Sequence, residues 1–359
     1  MQRFNFSSID WFLMIPVAIL LVFSLATLFS INQEIFKSQL LFTVISLGVF
    51  LFLTQLNPSV LRYYSLPIYI TSLILLATVL IFGSESRGSV RWFEFLGFGI
   101  QFSELLKPFL ALALASFLAS LRDYSFKSFL SVLVFLFPLV ILIFLQPDLG
   151  NALIYVFVTI GILIIFGFPY KWFFAGFLIW LATLPLFWLV LHDYQRQRVL
   201  TFINPGRDPL DTSYNAIQAV IAVGSGMILG KGLGQGTQAG LRFLPEQHTD
   251  FIFATISEEL GFIGALAVII CFAVIFYRLY LIIKNSEEKF SKIFSIIVFL
   301  ILFVHFFINV GMNIGIVPIV GVTLPFVSYG GSSLLSNLIL LGLLFAVNKK
   351  SRREVLEIS

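Results

Sequence analysis

Ten apolar runs, most of them close to 20 residues long, follow one another along 359 residues, with short connections except for two. A run of that length matches the hydrocarbon thickness that a spanning helix crosses, and backbone polar groups in hydrocarbon are satisfied only inside helices or closed barrels. The runs lie near 11–30, 36–55, 66–82, 104–121, 129–145, 152–168, 170–191, 251–283, 291–315 and 332–347. Apolar residues make up 59% of the chain and charged residues 11%, against roughly 25% in soluble domains. That excludes a soluble enzyme, a disordered chain and a disulfide-stapled secreted domain. The expected fold is an all-α polytopic membrane protein of about ten transmembrane helices, forming a single integral-membrane domain over 1–359. The first run is followed by Ser30-Ile31-Asn32-Gln33 rather than by a small-residue cleavage site, so it reads as a span and not as a signal peptide.

An even number of spans puts both termini on one side. With the termini in the cytoplasm, thirteen of the 22 basic residues fall inside: Arg3, Arg62, Arg122, Lys127, Lys171, Arg278, Lys284, Lys289, Lys292, Lys349, Lys350, Arg352 and Arg353. Of the remaining nine, Arg196, Arg198, Arg207, Lys231 and Arg242 share one long loop, where the positive-inside rule has less force. Two connections are long, 83–103 and 192–250, and both fall on the extracytoplasmic face, where long ordered loops carry function. The larger lies between the seventh and eighth spans, and within it Ser213–Leu229 is too short to cross a bilayer and reads as an interfacial or re-entrant helix.

Several chemistries drop out. Gly230, Gly232, Gly234 and Gly236 fit neither the dinucleotide fingerprint nor the phosphate-loop spacing and read as a flexible loop. The three histidines, 192, 248 and 305, lack zinc-ligand spacing, and no Gly-x-Ser-x-Gly elbow occurs. Cys271 is a lone cysteine in an apolar run, and the net charge of +4 is scattered, which argues against a nucleic-acid surface.

The informative residues are the ionisable ones in apolar runs, because a charge at bilayer depth costs roughly 2.5–3.5 kcal/mol on insertion scales. Glu104 and Lys107 are three apart, on one helical face, and form either a structural ion pair or, as favoured here, the wall of a polar cavity. Asp148 follows the fifth span at the outer face, as a helix-end turn or a functional carboxylate. Glu258 and Glu259 lie early in the eighth span, at least one facing the interior. His305, Asn309 and Asn313 recur every four residues on the ninth, a stripe that reads as helix-to-helix glue. Arg242, Glu246, His248, Thr249 and Asp250 crowd the end of the large loop. Asp250 sits where a helix begins, and position alone leaves it equally an N-cap or a general base at the mouth of the bundle.

Five strings carry a resemblance: Gly88-Ser89-Val90-Arg91-Trp92, Gln101-Phe102-Ser103-Glu104-Leu105-Leu106-Lys107, Gln146-Pro147-Asp148-Leu149-Gly150, Leu244-Pro245-Glu246-Gln247-His248-Thr249-Asp250-Phe251, and Leu324-Pro325-Phe326-Val327-Ser328-Tyr329-Gly330-Gly331-Ser332-Ser333. In that order they resemble the SEDS family of cell-wall polymerases (RodA, FtsW, SpoVE) over essentially the whole chain. Gln146, Gly230-Lys231-Gly232 and Gly236-Thr237-Gln238 look more like the elongation member, RodA, than the division member, FtsW. One departure is Phe102, where the family usually has proline; Pro108 is the expected site of the kink instead.

The resemblance implies a peptidoglycan glycosyltransferase of the bacterial cytoplasmic membrane, polymerising lipid II on the outer face beside a class B penicillin-binding transpeptidase. It puts the essential loop aspartate at Asp250, the loop tryptophan at Trp92, the cavity pair at Glu104 and Lys107, and the Gln-Pro-Asp carboxylate at Asp148. Around these, Arg91, Lys107, Arg196 and Arg207 are candidates to hold the diphosphate, and Glu246, His248 and Thr249 to line the substrate site. Trp92 is either a sugar-stacking ring or an interfacial anchor. A divalent cation, Mg or Mn, among Asp148, Glu104 and Asp250 is a further candidate; no Asp-x-Asp pair is present, which fits a lipid-linked rather than a nucleotide-linked donor. The competing readings are a lipid II flippase, which would need a cavity opening to both faces, and a scaffold that only holds a transpeptidase. The division or sporulation paralogue of the same family is the other alternative.

Overall fold

The computed structural model describes residues 9–86, 89–95, 98–191, 193–203, 214–237 and 244–349. All ten apolar runs fall on helices. Six helices are long and apolar enough to cross a membrane: α1 (Trp11–Ile31), α2 (Gln33–Leu53), α4 (Ser65–Phe82), α7 (Phe126–Leu145), α12 (Ile252–Asn285) and α13 (Lys289–Asn313). Shorter apolar helices are α6 (Lys107–Ser120), α8 (Leu149–Ile165), Tyr170–Leu186 within α9 (Tyr170–Val190), and α14 (Gly331–Val347). Helix α14 is buried along most of its length, as an all-round apolar helix must be when other helices surround it, and it packs against α2, α6 and α13. Along α9 most side chains are exposed, and the residues packed against the core are Trp172 and Phe173 at its start.

Paired contacts give α1 and α12 opposite directions. Ser30, late in α1, bonds Glu259 early in α12, and Asp10 before α1 takes Arg278 near the end of α12 at 2.6 Å. Other ties near Arg278 join Arg62 to Glu288 at 3.1 Å, and Ser286 to Asn348 at 2.6 Å. The residues expected on the cytoplasmic face thus gather at one end of the bundle.

The first long loop carries strands that the sequence did not indicate: β1 (Ser84–Ser86), β2 (Ser89–Phe95) and β3 (Phe98–Gln101) form a three-stranded antiparallel meander, with Trp92 paired to Gln101 and Phe95 to Phe98. The meander runs into α5 (Phe102–Leu105), and the expected fourth span breaks at Leu106, just before Pro108. Phe102 packs edge-on against Phe93 of β2, at 6.1 Å between ring centres. The Phe102 ring therefore fastens the meander to the helix. Two further helices were not foreseen, α3 (Pro58–Tyr63) and α10 (Asp193–Ile203).

Within the larger loop, α11 (Tyr214–Ser225) matches the expected short helix and packs on α12. The glycine run after it is a correction, because it is fixed in place. Helix α12 is interrupted at Gly261, with φ 66° and ψ −164°, which separates two pairs of groups that an unbroken helix would join i to i+4, Glu258 with Phe262 and Glu259 with Ile263. The glycine-rich turn takes over both halves: Lys231 N–H donates to the Glu258 carbonyl (3.0 Å) and Gly232 N–H to that of Glu259 (2.9 Å). In return Phe262 and Ile263 donate to the Met227 and Ile228 carbonyls at 2.8 and 3.3 Å. Backbones this close leave no room for side chains. A Cβ at Gly226 would overlap the Ser257 carbonyl, one at Gly230 the Glu259 carbonyl, and one at Gly261 the Gly230 N–H. Side chains seal the joint: Lys231 reaches the fully buried Glu258 at 2.7 Å, and Glu259 accepts from the Ser30 hydroxyl and the Gly234 N–H.

Two strains coincide at Gly230, the overlap and a φ of +80° that side chains disfavour. Gly230→Ala is therefore expected to lower the thermal unfolding midpoint of the detergent-purified protein by several degrees, the equivalent of about 2 kcal/mol or more. Gly176→Ala in α9, where a Cβ meets nothing within 4 Å, should leave the midpoint unchanged or raise it. Equal midpoints for the two variants would show that the turn is not held in α12.

Candidate active site

The large loop returns to the bundle through Leu244-Pro245-Glu246, and the carbonyl of Glu246 accepts from the N–H groups of Thr249 and Phe251, folding the segment into a tight turn. Its other side rests on the chain leading into α14. Tyr329 N–H donates to the His248 carbonyl (2.8 Å), and the Ser328 hydroxyl donates to the Thr249 carbonyl (2.6 Å) while accepting from Leu324 N–H. The His248 and Tyr329 rings lie 5.6 Å apart, and the Thr249 hydroxyl donates to the Glu246 carboxylate at 3.2 Å.

Asp250 is half-buried at the end of this turn. It is not the N-cap of α12, a position taken by Phe251 with no side-chain cap of its own. The capping acceptor comes from α13: Asn313 Oδ1 accepts the Ala254 N–H at 3.1 Å. The same amide donates through Nδ2 to the Asp250 carbonyl at 3.0 Å, and so does Asn309 Nδ2, also at 3.0 Å. Asn309 additionally reaches the Val322 carbonyl at 2.7 Å. Asn309 and Asn313 of the α13 stripe act as glue, but they bond backbone groups at the start of α12 and in the 314–330 segment rather than side chains of another helix.

The third member of the stripe reaches the ion pair. Lys107 Nζ lies 2.8 Å from Glu104 Oε2 and 2.8 Å from His305 Nε2, and His305 Nδ1 lies 3.2 Å from the Thr323 carbonyl. A carbonyl only accepts, so Nδ1 carries the proton and Nε2 receives one from the ammonium; the ring is neutral. All three side chains are buried, with Glu104 at 7% and Lys107 at 3% exposure. Sequence reasoning placed Glu104 and Lys107 together but not His305, whose only signal was its place in a four-residue stripe.

Asp148 is an N-cap and a staple. Its Oδ1 accepts from Asn151 N–H at the start of α8, and its Oδ2 accepts from Gln101 Nε2 (2.8 Å), the Ser103 hydroxyl (2.7 Å) and Asn151 Nδ2 (2.9 Å). It thereby ties the end of β3 and α5 to α8. Gln101, Ser103 and Asn151 were not singled out, although the first two stand inside a string that was. Among the described residues no three His, Cys, Asp or Glu side chains gather as a group that could hold a metal, and Asp148 and Glu104 accept from N–H and O–H donors and from Lys107.

Other predicted residues are more scattered. Trp92 is half-buried with its ring over Gly99, where a Cβ would lie 3.1 Å from the indole, so part of the ring covers its own sheet. Arg196 donates to the Trp188 and Leu189 carbonyls at 2.9 and 2.8 Å, capping the end of α9. Arg91 is a backbone position in β2 whose side chain lies outside the description, and Arg207 and Arg242 lie outside the described residues.

A buried pair is costly to break and cheap to replace whole. Lys107→Met should destabilise the protein by about 3–5 kcal/mol, since it leaves Glu104 buried without its cation. Adding Glu104→Leu should recover most of that loss, both effects read as thermal midpoints in detergent. No loss in the single variant would mean that Glu104 is not charged in the folded protein.

Three comparisons bear on this arrangement. The profile of the FtsW/RodA/SpoVE family, described as cell cycle protein, matches residues 5–353. The peptidoglycan glycosyltransferase MrdB of Escherichia coli K12 is 35% identical over 323 residues, covering 88% of this chain and 87% of that protein. A probable peptidoglycan glycosyltransferase FtsW of Wigglesworthia glossinidia brevipalpis is also 35% identical, over 348 residues, covering 93% of this chain and 91% of that protein. Among solved structures, one from work on the structural coordination of polymerization and crosslinking by a peptidoglycan synthase complex superposes with a TM-score of 0.82 at 30% identity, covering 94% of this chain and 97% of the other. The chain belongs to the FtsW/RodA/SpoVE family.

Proposed function

We propose that this multi-pass membrane protein is a peptidoglycan glycosyltransferase that polymerises lipid II on the outer face of the bacterial cytoplasmic membrane, with Asp250 as general base. Family membership and the names of both relatives support the reaction class. The observation that carries the assignment of the base is the placement of Asp250. Its peptide is fixed by two asparagine amides, and the work of capping α12, which an aspartate at this position ordinarily does, falls to Asn313.

The reaction joins the C4 hydroxyl of an N-acetylglucosamine to the anomeric carbon of a sugar that leaves from a lipid-linked diphosphate. Inversion at that carbon needs one displacement: the C4–O–C1 bond forms, the C1–O bond to the diphosphate breaks, and the leaving group departs with the electron pair. The hydroxyl proton passes to the Asp250 carboxylate. Such a step needs a base, positive charge near the leaving group and a held acceptor, and no covalent nucleophile. We assign diphosphate binding to Arg91 and Arg207 on the outer loops, with Lys107 as the cation of the cavity floor, and acceptor contacts to Trp92, Glu246, His248 and Thr249. No step is routed through a metal.

The superposed synthase complex couples polymerization with crosslinking, which supports a class B penicillin-binding transpeptidase as partner. Both relatives, one named MrdB and one FtsW, are 35% identical, so the elongation role rests on Gln146, Gly230-Lys231-Gly232 and Gly236-Thr237-Gln238.

The test is a gel assay of the purified protein with its transpeptidase on fluorescent lipid II. Asp250→Ala is expected to keep its thermal midpoint and its lipid II binding while polymerisation falls by about 10²–10⁴. A normal glycan ladder from that variant sinks the base. Scrambling of dye-labelled lipid II in liposomes, unaffected by Asp250→Ala and without a ladder from wild type, would point to a flippase instead.

A further inference from the structure

Asn309 and Asn313 sit four residues apart on α13 and are fully buried, yet neither bonds a side chain of the substrate-facing loops. Both donate to one atom, the carbonyl oxygen of Asp250. Asn313 does more, because its amide stands between two groups an extended α12 would pair directly, the Asp250 carbonyl and the Ala254 N–H. By taking both, it stops the helix one residue short and leaves Asp250 in the turn before it. Capping falls to Asn313 as well, since its Oδ1 accepts the N–H that an aspartate in the cap position would otherwise attract. Asn309 fastens this clasp to the neighbouring loop through the Val322 carbonyl, and Asn313 holds the Asn309 carbonyl at 2.8 Å. Ser328 adds a third fixed point on the adjacent Thr249 carbonyl.

We infer that Asn309 and Asn313 are positioning residues for the general base: they pin the Asp250 peptide and keep α12 from extending into it, so that the carboxylate stays in the turn at the mouth of the bundle. This rests on the reading of Asp250 as the base. Neither asparagine touches substrate; each acts through the Asp250 main chain. Loss of either clasp lets the turn relax toward a longer helix, and a displacement of about 1 Å at a base costs on the order of 10²-fold in rate. Substrate binding is spread over other elements and should change little.

The experiment uses the purified full chain with its transpeptidase and fluorescent lipid II, measuring kcat, KM and the thermal midpoint. Asn313→Ala and Asn309→Ala are expected to lower kcat by about 10- to 100-fold with KM within about threefold, the signature of a misplaced catalytic group rather than weakened binding. Asp250→Glu, which moves the carboxylate by one methylene, gives the readout that a structural role would not move. If Asn313 acts through Asp250, then Asp250→Glu/Asn313→Ala should fall no more than about threefold below the slower single variant, since residues acting as a unit are not additive. Losses that multiply in the double variant, a kcat equal to wild type in folded Asn313→Ala, or a rise in KM alone would each overturn the inference. Where alanine does not fold, Asn313→Ser is read the same way; if serine also fails to fold, or if activity only follows the folded fraction, the asparagines are folding elements and the inference falls. A dead Asp250→Ala beside a fully active Asn313→Ala removes this inference and leaves the base standing, whereas an active Asp250→Ala removes the base itself.

Discussion

A backbone group buried in a bilayer has no water to turn to, so every interruption of a spanning helix must be met by a donor or acceptor from elsewhere in the chain. Helix α12 is interrupted twice, and the organisation of the outer half of the bundle follows from how each is met. At Gly261 two i to i+4 pairs are opened and the 227–232 turn supplies all four missing partners from its own backbone. That makes the large loop part of the bundle rather than a strap over it, and it explains why Gly226, Gly230 and Gly261 have no side chain to spare space for. At the start of the helix one pair is opened, between Asp250 and Ala254, and one side-chain amide supplies both partners. The first device uses backbone because backbone can lie flush; the second uses an asparagine, whose short carboxamide presents a donor and an acceptor side by side on one planar head.

Helix α13 carries the second device and connects it to the buried Glu104–Lys107 pair. Most of its surface packs on apolar neighbours, and three of its buried polar side chains form the stripe His305, Asn309 and Asn313. A buried amide left unsatisfied costs about 1–3 kcal/mol, whereas each bond it makes returns only about 0.5–1.5 kcal/mol net. Such residues therefore contribute little to stability beyond apolar ones and matter for where they hold other groups. His305 illustrates the point. As a neutral ring between an ammonium and a carbonyl, it adds no charge to the Glu104–Lys107 pair, and what it fixes is the direction of the Lys107 side chain.

Much of this was legible in the sequence, and what was not had a common physical reason. The ten apolar runs became helices because length and hydropathy decide a span locally. The Glu104–Lys107 contact followed from a spacing of three and holds across the break at Leu106, and that break before Pro108 follows from the missing N–H of proline. The meander over 84–101 was missed because short strands in a loop leave a weak pattern. The glycines at 230, 232 and 234 look alike whether a turn is mobile or locked against a neighbour, and the deciding partner, the gap at Gly261, lies some thirty residues away. Likewise an aspartate before an apolar helix is ordinarily its cap, and only the position of Asn313, 63 residues on, shows that another residue has the task. Interactions set within one turn can be read from the chain; those set by what another helix brings cannot.

The stripe also fixes how far apart the two charged parts of the site stand. His305 and Asn313 are eight residues apart on a continuous helix, so the contact with Lys107 and the contact with Asp250 are separated by about 12 Å along α13, at about 1.5 Å per residue. Across that distance the lysine and the aspartate do not act on the same atom. Under the proposed reading the base would take the proton of an acceptor hydroxyl, while the buried ion pair, an ammonium balanced by one carboxylate, carries no net charge. An isolated ammonium there would carry the full desolvation cost of a buried cation, and an apolar pair would present nothing for a polar ligand to meet. The pair with its neutral histidine lies between those extremes: it keeps polar groups at depth while the Glu104 carboxylate balances the ammonium.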